Sequence, residues 1–278
     1  MDFFSDLAVI ANSELIKNGY DAPVAPAEVV VRTYLSVLHR SISTCKRQVL
    51  ESTKLQIPAH LRSGYEEIKR KTEVGESLIP HQTRKLDDPE EGDPLLNDWD
   101  IHHLHLGTQV LPDGYIKRTG PLLYARVTND TLYAIQVYEH GAWSRQEMIR
   151  ILHDNWPDSI RNFRFKGVLG LAAKLSDQDI GNLRNAHIQT SVQIDDTVYA
   201  PLGGGLTCTG DSVRVIRASM DLRRICSELE QNIHEIIGSR LDSENGFSLT
   251  REGNKAVVAN TSTGKRIFEC NWFLRDLK

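Results

Sequence analysis

Cysteine is scarce and scattered. Cys45, Cys208, Cys226 and Cys270 form no CxxC pair, so neither a structural zinc site nor a disulfide framework is expected, and reduced thiols in a cytoplasmic compartment are. No apolar run approaches the roughly 18 residues a spanning helix needs, and no membrane partner is expected. The opening MDFFSDLAVIANSELIKNG carries Asp2 and Asp6 and no basic start, unlike a secretory leader. Excess positive charge is missing too: 33 Lys+Arg against 37 Asp+Glu leave a net charge of -4. That excludes a uniformly basic nucleic-acid coat and permits a local basic groove. GxSxG, GxGxxG and the P-loop are absent, as are internal repeats and low-complexity tracts.

What is present is ordinary globular material, 40% apolar over 278 residues, enough for about two domains. Phe3, Phe4, Leu7, Ile10, Ala11 and Leu15 recur at helical spacing before Gly19. A second helix is predicted after Pro26, and a third over about 60–72, closed by Gly75. The segment KLDDPEEGDPLLNDWD crowds seven carboxylates with two prolines, the composition of a linker. Strand patterns follow: IHHLHLGTQV, GYIKRT after the Asp113-Gly114 turn, PLLYARVT, and TLYAIQVYEH after Asn129-Asp130. Ser144 and Glu147 have capping-box spacing before a helix that Pro157 ends. Ser176 caps a short helix, HIQTSVQI and TVYAPL read as strands, and residues 211–237 form a long helix that includes Ile236 and Ile237. FSLTREGNKAVVAN and KRIFECNWFL make a closing hairpin. The chain is therefore read as α+β. A helical N-terminal region (1–86) and an acidic linker (87–100) precede a central antiparallel sheet module with a packed helix (97–175). A mixed α/β C-terminal region (176–278) follows.

Four constellations could carry chemistry. The sharpest is Asp100-Ile-His102-His103-Leu-His105-Leu-Gly107. On a strand, alternation puts His103 and His105 on one face, about 7 Å apart, and His102 on the other. Such a pair can move protons, contact phosphate, or, with His140, Glu139 or Asp100, hold a divalent metal. It can equally be a set of imidazoles hydrogen-bonded inside a sheet. The spacing of a histidine-triad hydrolase is not met, because the alternating positions 101 and 107 are Ile and Gly. The second constellation is Tyr138-Glu139-His140-Gly141 at a strand end, with Arg118 and Arg126 on the strands before it. Arginine supplies a fork for phosphate, and Glu or His a mobile proton. Convergence depends on register, since a slip of one residue reverses every side chain. The third is Gly203-Gly204-Gly205, with Thr207, Thr209 and Asp211 leading into the long helix. It is either an anion cradle or a structural loop whose acidic cap would repel phosphate. The fourth is Arg161-Asn-Phe163-Arg164-Phe165-Lys166, which suits RNA stacking and phosphate contact, or a wet strand edge.

The stretch RTGPLLYARVTNDTLYAIQVYEH resembles the core of RelE-like messenger-RNA interferases over about residues 97–157. The resemblance implies metal-free RNA cleavage, with Arg118 or Arg126 on the phosphate and Glu139 or His140 as acid or base. The DWxIHHLHLG run and the HGAW…NWP segment are also similar to an uncharacterised bacterial family. The function expected from all this is an RNA phosphodiesterase, a toxin or phage-defence effector that acts on RNA or at the ribosome. Its catalytic groups would be His103, His105, Glu139 and His140, and its substrate contacts Arg118, Arg126, Tyr138, Arg161 and Arg164. No cofactor is expected, with a divalent metal at the histidines as the lesser reading. A protein partner such as an antitoxin fits, and the oligomeric state is open. The alternatives are a non-catalytic binding or regulatory protein and a metal-dependent hydrolase.

Overall fold

The computed structural model describes residues 1–21, 23–237, 246–253 and 255–271. In chain order the helices and strands are α1 (Phe3–Lys17), α2 (Ala27–Arg40), β1 (Gln48–Glu51), α3 (Arg62–Val74), α4 (Pro94–Trp99), β2 (Ile101–His105), β3 (Leu122–Val127), β4 (Thr131–Tyr138), α5 (Glu147–Asn155), α6 (Pro157–Ile160), α7 (Asp177–Asn185), β5 (Val192–Ile194), β6 (Thr197–Tyr199), α8 (Val213–Ile237), β7 (Phe247–Glu252), β8 (Lys255–Asn260) and β9 (Arg266–Asn271). The fold is mixed α+β with a helical N-terminal part. Short 3-10 turns fill several of the connections.

The chain divides into two compact units, one formed by Met1–His39 with Val215–Lys278 and the other by Arg40–Arg214. In the first, apolar stripes of α1 (Phe3, Leu7, Leu15), α2 (Val31, Leu35) and α8 (Leu222, Cys226) share one core with Leu249 and Val258 of the β7-β8-β9 sheet. Asp2 caps α1 by accepting from the Ser5 amide, and Asp6 accepts the amide of Leu249 on β7, an edge strand. Residues 272–274 of the predicted last strand lie outside the described residues, as do the side chains of Ile236 and Ile237.

The second unit is a sheet with helices on both faces. Its strand order is β1-β4-β3-β2. Alternation along the strands, reset on β4 by a bulge at Ile135, sends Ile101, Leu122, Tyr124, Ile135 and Tyr138 to one side, against Met148, Ile149, Ile151 and Leu152 of α5. Leu104, Leu123, Ala125, Leu132 and Ala134 go to the other, against Tyr65 and Ile68 of α3. Each buried aliphatic side chain contributes about 1.5–3 kcal/mol, so this alternation fixes the register.

Several elements differ from the sequence reading. The sheet is not purely antiparallel, because β1 joins it in parallel to β4 from inside the region read as helical. Helix α3 runs two residues past the predicted end, to Val74, before Gly75 adopts a positive φ of 80°. GYIKRT forms no strand; only Ile116 bridges to Val110. Ser144 does not cap α5, whose N-cap is Gln146. Ser176 does cap α7, in a reciprocal box with Asp179. The acidic segment is not a linker throughout, since it lies within the Arg40–Arg214 unit and contains α4, with Leu95, Leu96, Asp98 and Trp99 buried. The carboxylates tolerate burial because each has a guanidinium. Arg184 donates to Asp98 at 2.9 Å. Asp100 accepts from Arg126 at 3.1 Å and from Arg214 at 3.0 Å.

Candidate functional site

A cavity of about 590 Å³ opens beside β2, lined among others by His103, His105, Arg118, His140, Trp143 and Asp93. Three neighbouring constructions place these groups.

The first is the α4–β2 junction. Asp93 caps α4 by accepting the Leu96 amide through Oδ1 at 3.0 Å. Its other oxygen, Oδ2, lies 3.9 Å from Nδ1 of His103. Asp100 then takes a left-handed conformation, φ 59°, which ends the helix and starts β2. Pairing with β3 sets His103 opposite Tyr124 and His105 opposite Leu122, so both imidazoles leave the same face. His102 pairs with Ala125, is buried, and also reaches the cavity wall.

The second is the crossing after β2. A Cβ on Gly107 would fall 2.3 Å from the Lys117 carbonyl oxygen. Only glycine lets residues 116–117 lie across the strand end, which brings Arg118 over the cavity. Thr119 fixes the crossing by accepting the Leu106 amide and donating to the Pro121 carbonyl. Arg118 is exposed and, among the described residues, has no hydrogen bond or ion pair to protein.

The third is the turn after β4. Gly141 at φ 102° folds the chain back, so that the Trp143 ring centroid lies 4.8 Å from His103 and 5.0 Å from His140. Arg184 donates to the Trp143 carbonyl and holds Asp98 from its other nitrogens. Its guanidinium lies 4.3 Å over Trp99. The cavity wall is thus tied to the buried ion pair below it.

Electrostatics follow from this packing. Burial lowers the pKa of His103, with Asp93 opposing the shift and His140 and Arg118 adding to it. Burial lowers His105 to about 4, with help from His103 and Arg118. Both rings are therefore neutral at pH 7. Nδ1 of each is buried without a hydrogen-bond partner among the described residues. His105 is fixed through its backbone: His81, fully buried, donates from Nδ1 to the His105 carbonyl at 2.9 Å. Nε2 of His81 lies 3.4 Å from Lys71 Nζ. Arg40, Lys85, Arg118 and Arg184 also face the cavity, against Asp93. Arg184 is neutralised by Asp98, and Lys85 pairs with Glu91 at 2.7 Å. Arg40 is spent on the carbonyls of Lys85 and Asp88.

Of the residues singled out from the sequence, His102, His103, His105, His140 and Arg118 line this cavity. The others lie elsewhere. Arg126 holds Asp100 and the Ser159 carbonyl. Tyr138 donates to Glu147 at 2.8 Å and packs beside Tyr124. Glu139 is exposed next to Gly120 and is not part of the lining. Arg161 is exposed near Asp158, and Arg164 lies 5.9 Å over the Tyr199 ring. Among the described residues no group of three His, Cys, Asp or Glu side chains is placed to hold a metal ion. The glycine loop is a clamp on α4: the amides of Gly203 and Gly205 donate to the carbonyls of Asp98 and Asn97. A Cβ at Gly203 would stand 2.2 Å from the Leu96 oxygen. Sequence reasoning missed Asp93, Trp143 and Arg184. Asp93 was hidden in the acidic run, although an Asp-Pro before an apolar run is a helix-start signal in its own right. No helix among the described residues is long and apolar enough to cross a membrane. No family model, no curated protein and no solved structure matches the chain.

Proposed function

We propose that the Arg40–Arg214 unit is a metal-free phosphodiesterase that cleaves RNA, an effector of the toxin or phage-defence kind. The observation that carries this reading is the meeting of His103, His105 and His140 with a guanidinium, Arg118, that no group among the described residues satisfies. An unpaired guanidinium at the rim of a cavity invites an anion, and bidentate contact with phosphate is its strongest use. A volume of about 590 Å³ suits one nucleotide better than a duplex.

In this mechanism neutral His103 removes the proton from the attacking hydroxyl, a ribose 2′-OH or water. Asp93 stabilises the imidazolium that results. Arg118 and His105 face the phosphoryl oxygens, where negative charge builds in the transition state. His140, across the Trp143 ring, gives a proton to the departing 5′ oxygen. The proton taken by His103 and the one given by His140 balance, and solvent resets both.

The test is cleavage of defined RNAs by the purified chain, with and without ribosomes. Cleavage is expected to fall by about a hundredfold or more in His103→Ala and His140→Ala, and to persist in Glu139→Gln. RNA left intact under every condition overturns the assignment. A binding role without chemistry is favoured by one observation, the depth of His105, whose 6% exposure matches a core residue. That reading predicts tight RNA or nucleotide binding that survives His103→Ala, with no turnover.

A further inference from the structure

The connection between α6 and α7 is built differently from the other surface segments of its unit. Its base is pinned: the Phe165 amide donates to the Val198 carbonyl, the Ala200 amide to the Phe163 carbonyl, and the Leu171 amide to the Gln193 side chain. Beyond those pins the chain from Phe165 to Leu175 forms neither helix nor strand. Long irregular connections within a compact unit are uncommon and usually carry a function.

Its side chains are unusual in two respects. Leu169 is 95% exposed and its neighbour Val168 39%, with Phe165 at 47%. From Ser159 to Ser176 the charges are Arg161, Arg164, Lys166 and Lys174, with no carboxylate. Arg164, Lys166 and Lys174 have no ion-pair partner among the described residues, whereas exposed Arg150 and Lys85 are each matched to a carboxylate within 3.0 Å. Exposed Lys117 and Arg118 are unpaired among those residues too, so what marks this loop is three such cations in one carboxylate-free stretch. An uncompensated positive field around an aliphatic tip is complementary to an anionic interface with an apolar interior.

We propose that this loop seats the protein on anionic lipid, with Val168 and Leu169 entering the headgroup boundary and Lys166, Lys174 and Arg164 meeting the lipid phosphates and carboxylates. Single-stranded RNA is the weaker match. Its bases need aromatic platforms, and of the two phenylalanines here Phe163 is packed into the core beneath the Arg126 guanidinium. Phe165 is the single exposed aromatic of the loop, and the rest of its exposed apolar surface, Val168 and Leu169, is aliphatic and stacks no base. Absence of a spanning helix is no obstacle, because peripheral attachment needs only a shallow apolar tip and a few cations.

The experiment is co-sedimentation of the whole chain with vesicles of phosphatidylcholine alone and of phosphatidylcholine mixed with phosphatidylserine. The mixed vesicles are expected to retain the protein, and added salt to release it. Lys166→Gln and Lys174→Gln each weaken retention by about fivefold, and Leu169→Ser by about tenfold or more, with the melting temperature unchanged because these side chains are exposed. Retention equal on neutral vesicles, no retention on either kind, or variants that bind as the parent does would overturn the proposal. So would a loss of single-stranded RNA binding in the lysine variants while vesicle binding stays intact, which would make the loop an RNA contact.

Discussion

Residues 98–100 and residues 103–105 sit within a few positions of each other, and both present ionisable groups inside the same unit. Their surroundings are opposite. Asp98 and Asp100 are buried with their charge answered by Arg184, Arg126 and Arg214, although Oδ1 of Asp98 accepts no hydrogen bond among the described residues. His103 and His105 are nearly as buried, yet among the described residues their Nδ1 atoms meet no hydrogen-bond partner and the adjacent Arg118 has no counter-ion. Buried charges that meet an opposite charge hold a fold together, and polar groups without one that border a cavity are candidates for ligand contact. The same local density of ionisable groups thus pairs into buried ion pairs on one side of Ile101 and lines a cavity on the other, where the proposed chemistry would sit.

The sharpest way to break this contrast is Asp98→Ala. It strands the buried Arg184 guanidinium without its carboxylate, and a loss of about 3–5 kcal/mol is expected in urea unfolding. A loss below about 1 kcal/mol would show that the pair is not structural. Second, His105→Gln and Arg118→Gln should do the reverse, each lowering RNA cleavage by about tenfold to a thousandfold while the unfolding midpoint stays within experimental scatter. Parallel losses of activity and stability in either variant would erase the distinction.

Acid titration comes third. His105 has a folded pKa of about 4 against an ordinary 6.5, so the unfolded chain binds the extra proton between those values. Stability is full above pH 6.5 and falls as pH drops towards 4, by on the order of 2–3 kcal/mol from this residue. His105→Phe should flatten that part of the pH–stability curve, measured by thermal melts in a pH series. The smallest effect is expected from the exposed Arg150–Asp195 pair, where Arg150→Ala should change stability by about 0.5 kcal/mol or less.

The helices of the first quarter were readable because their signals are local. Gly75 and the apolar spacing of α1 and α3 act within one or two turns. So were β3 and β4, through their apolar runs and the turn between them. β1 was not, for its four residues bond to a strand 83 positions later, and nothing nearby in sequence marks it. The site divides in the same way. Alternation alone puts His103 and His105 on one face, and a hairpin brings His140 near. The burial of Asp98 and Asp100 depends on arginines 86 and 114 residues away, so a run of carboxylates looked like solvent-facing linker. Glu139 and Arg126 were drawn into the site by the assumption that every charged tip of the sheet meets at one end. The register instead turns Arg126 to Asp100 and leaves Glu139 outside.

The packing of Trp143 against His103 and His140 has a practical consequence. An indole's emission dims when a neighbouring imidazole gains a proton, and it shifts when water beside it is displaced. The ring wedged between these two histidines is therefore a native optical gauge of the cavity. Ligand entry and proton uptake can both be followed in the unlabelled protein, with Trp143→Phe as the blank.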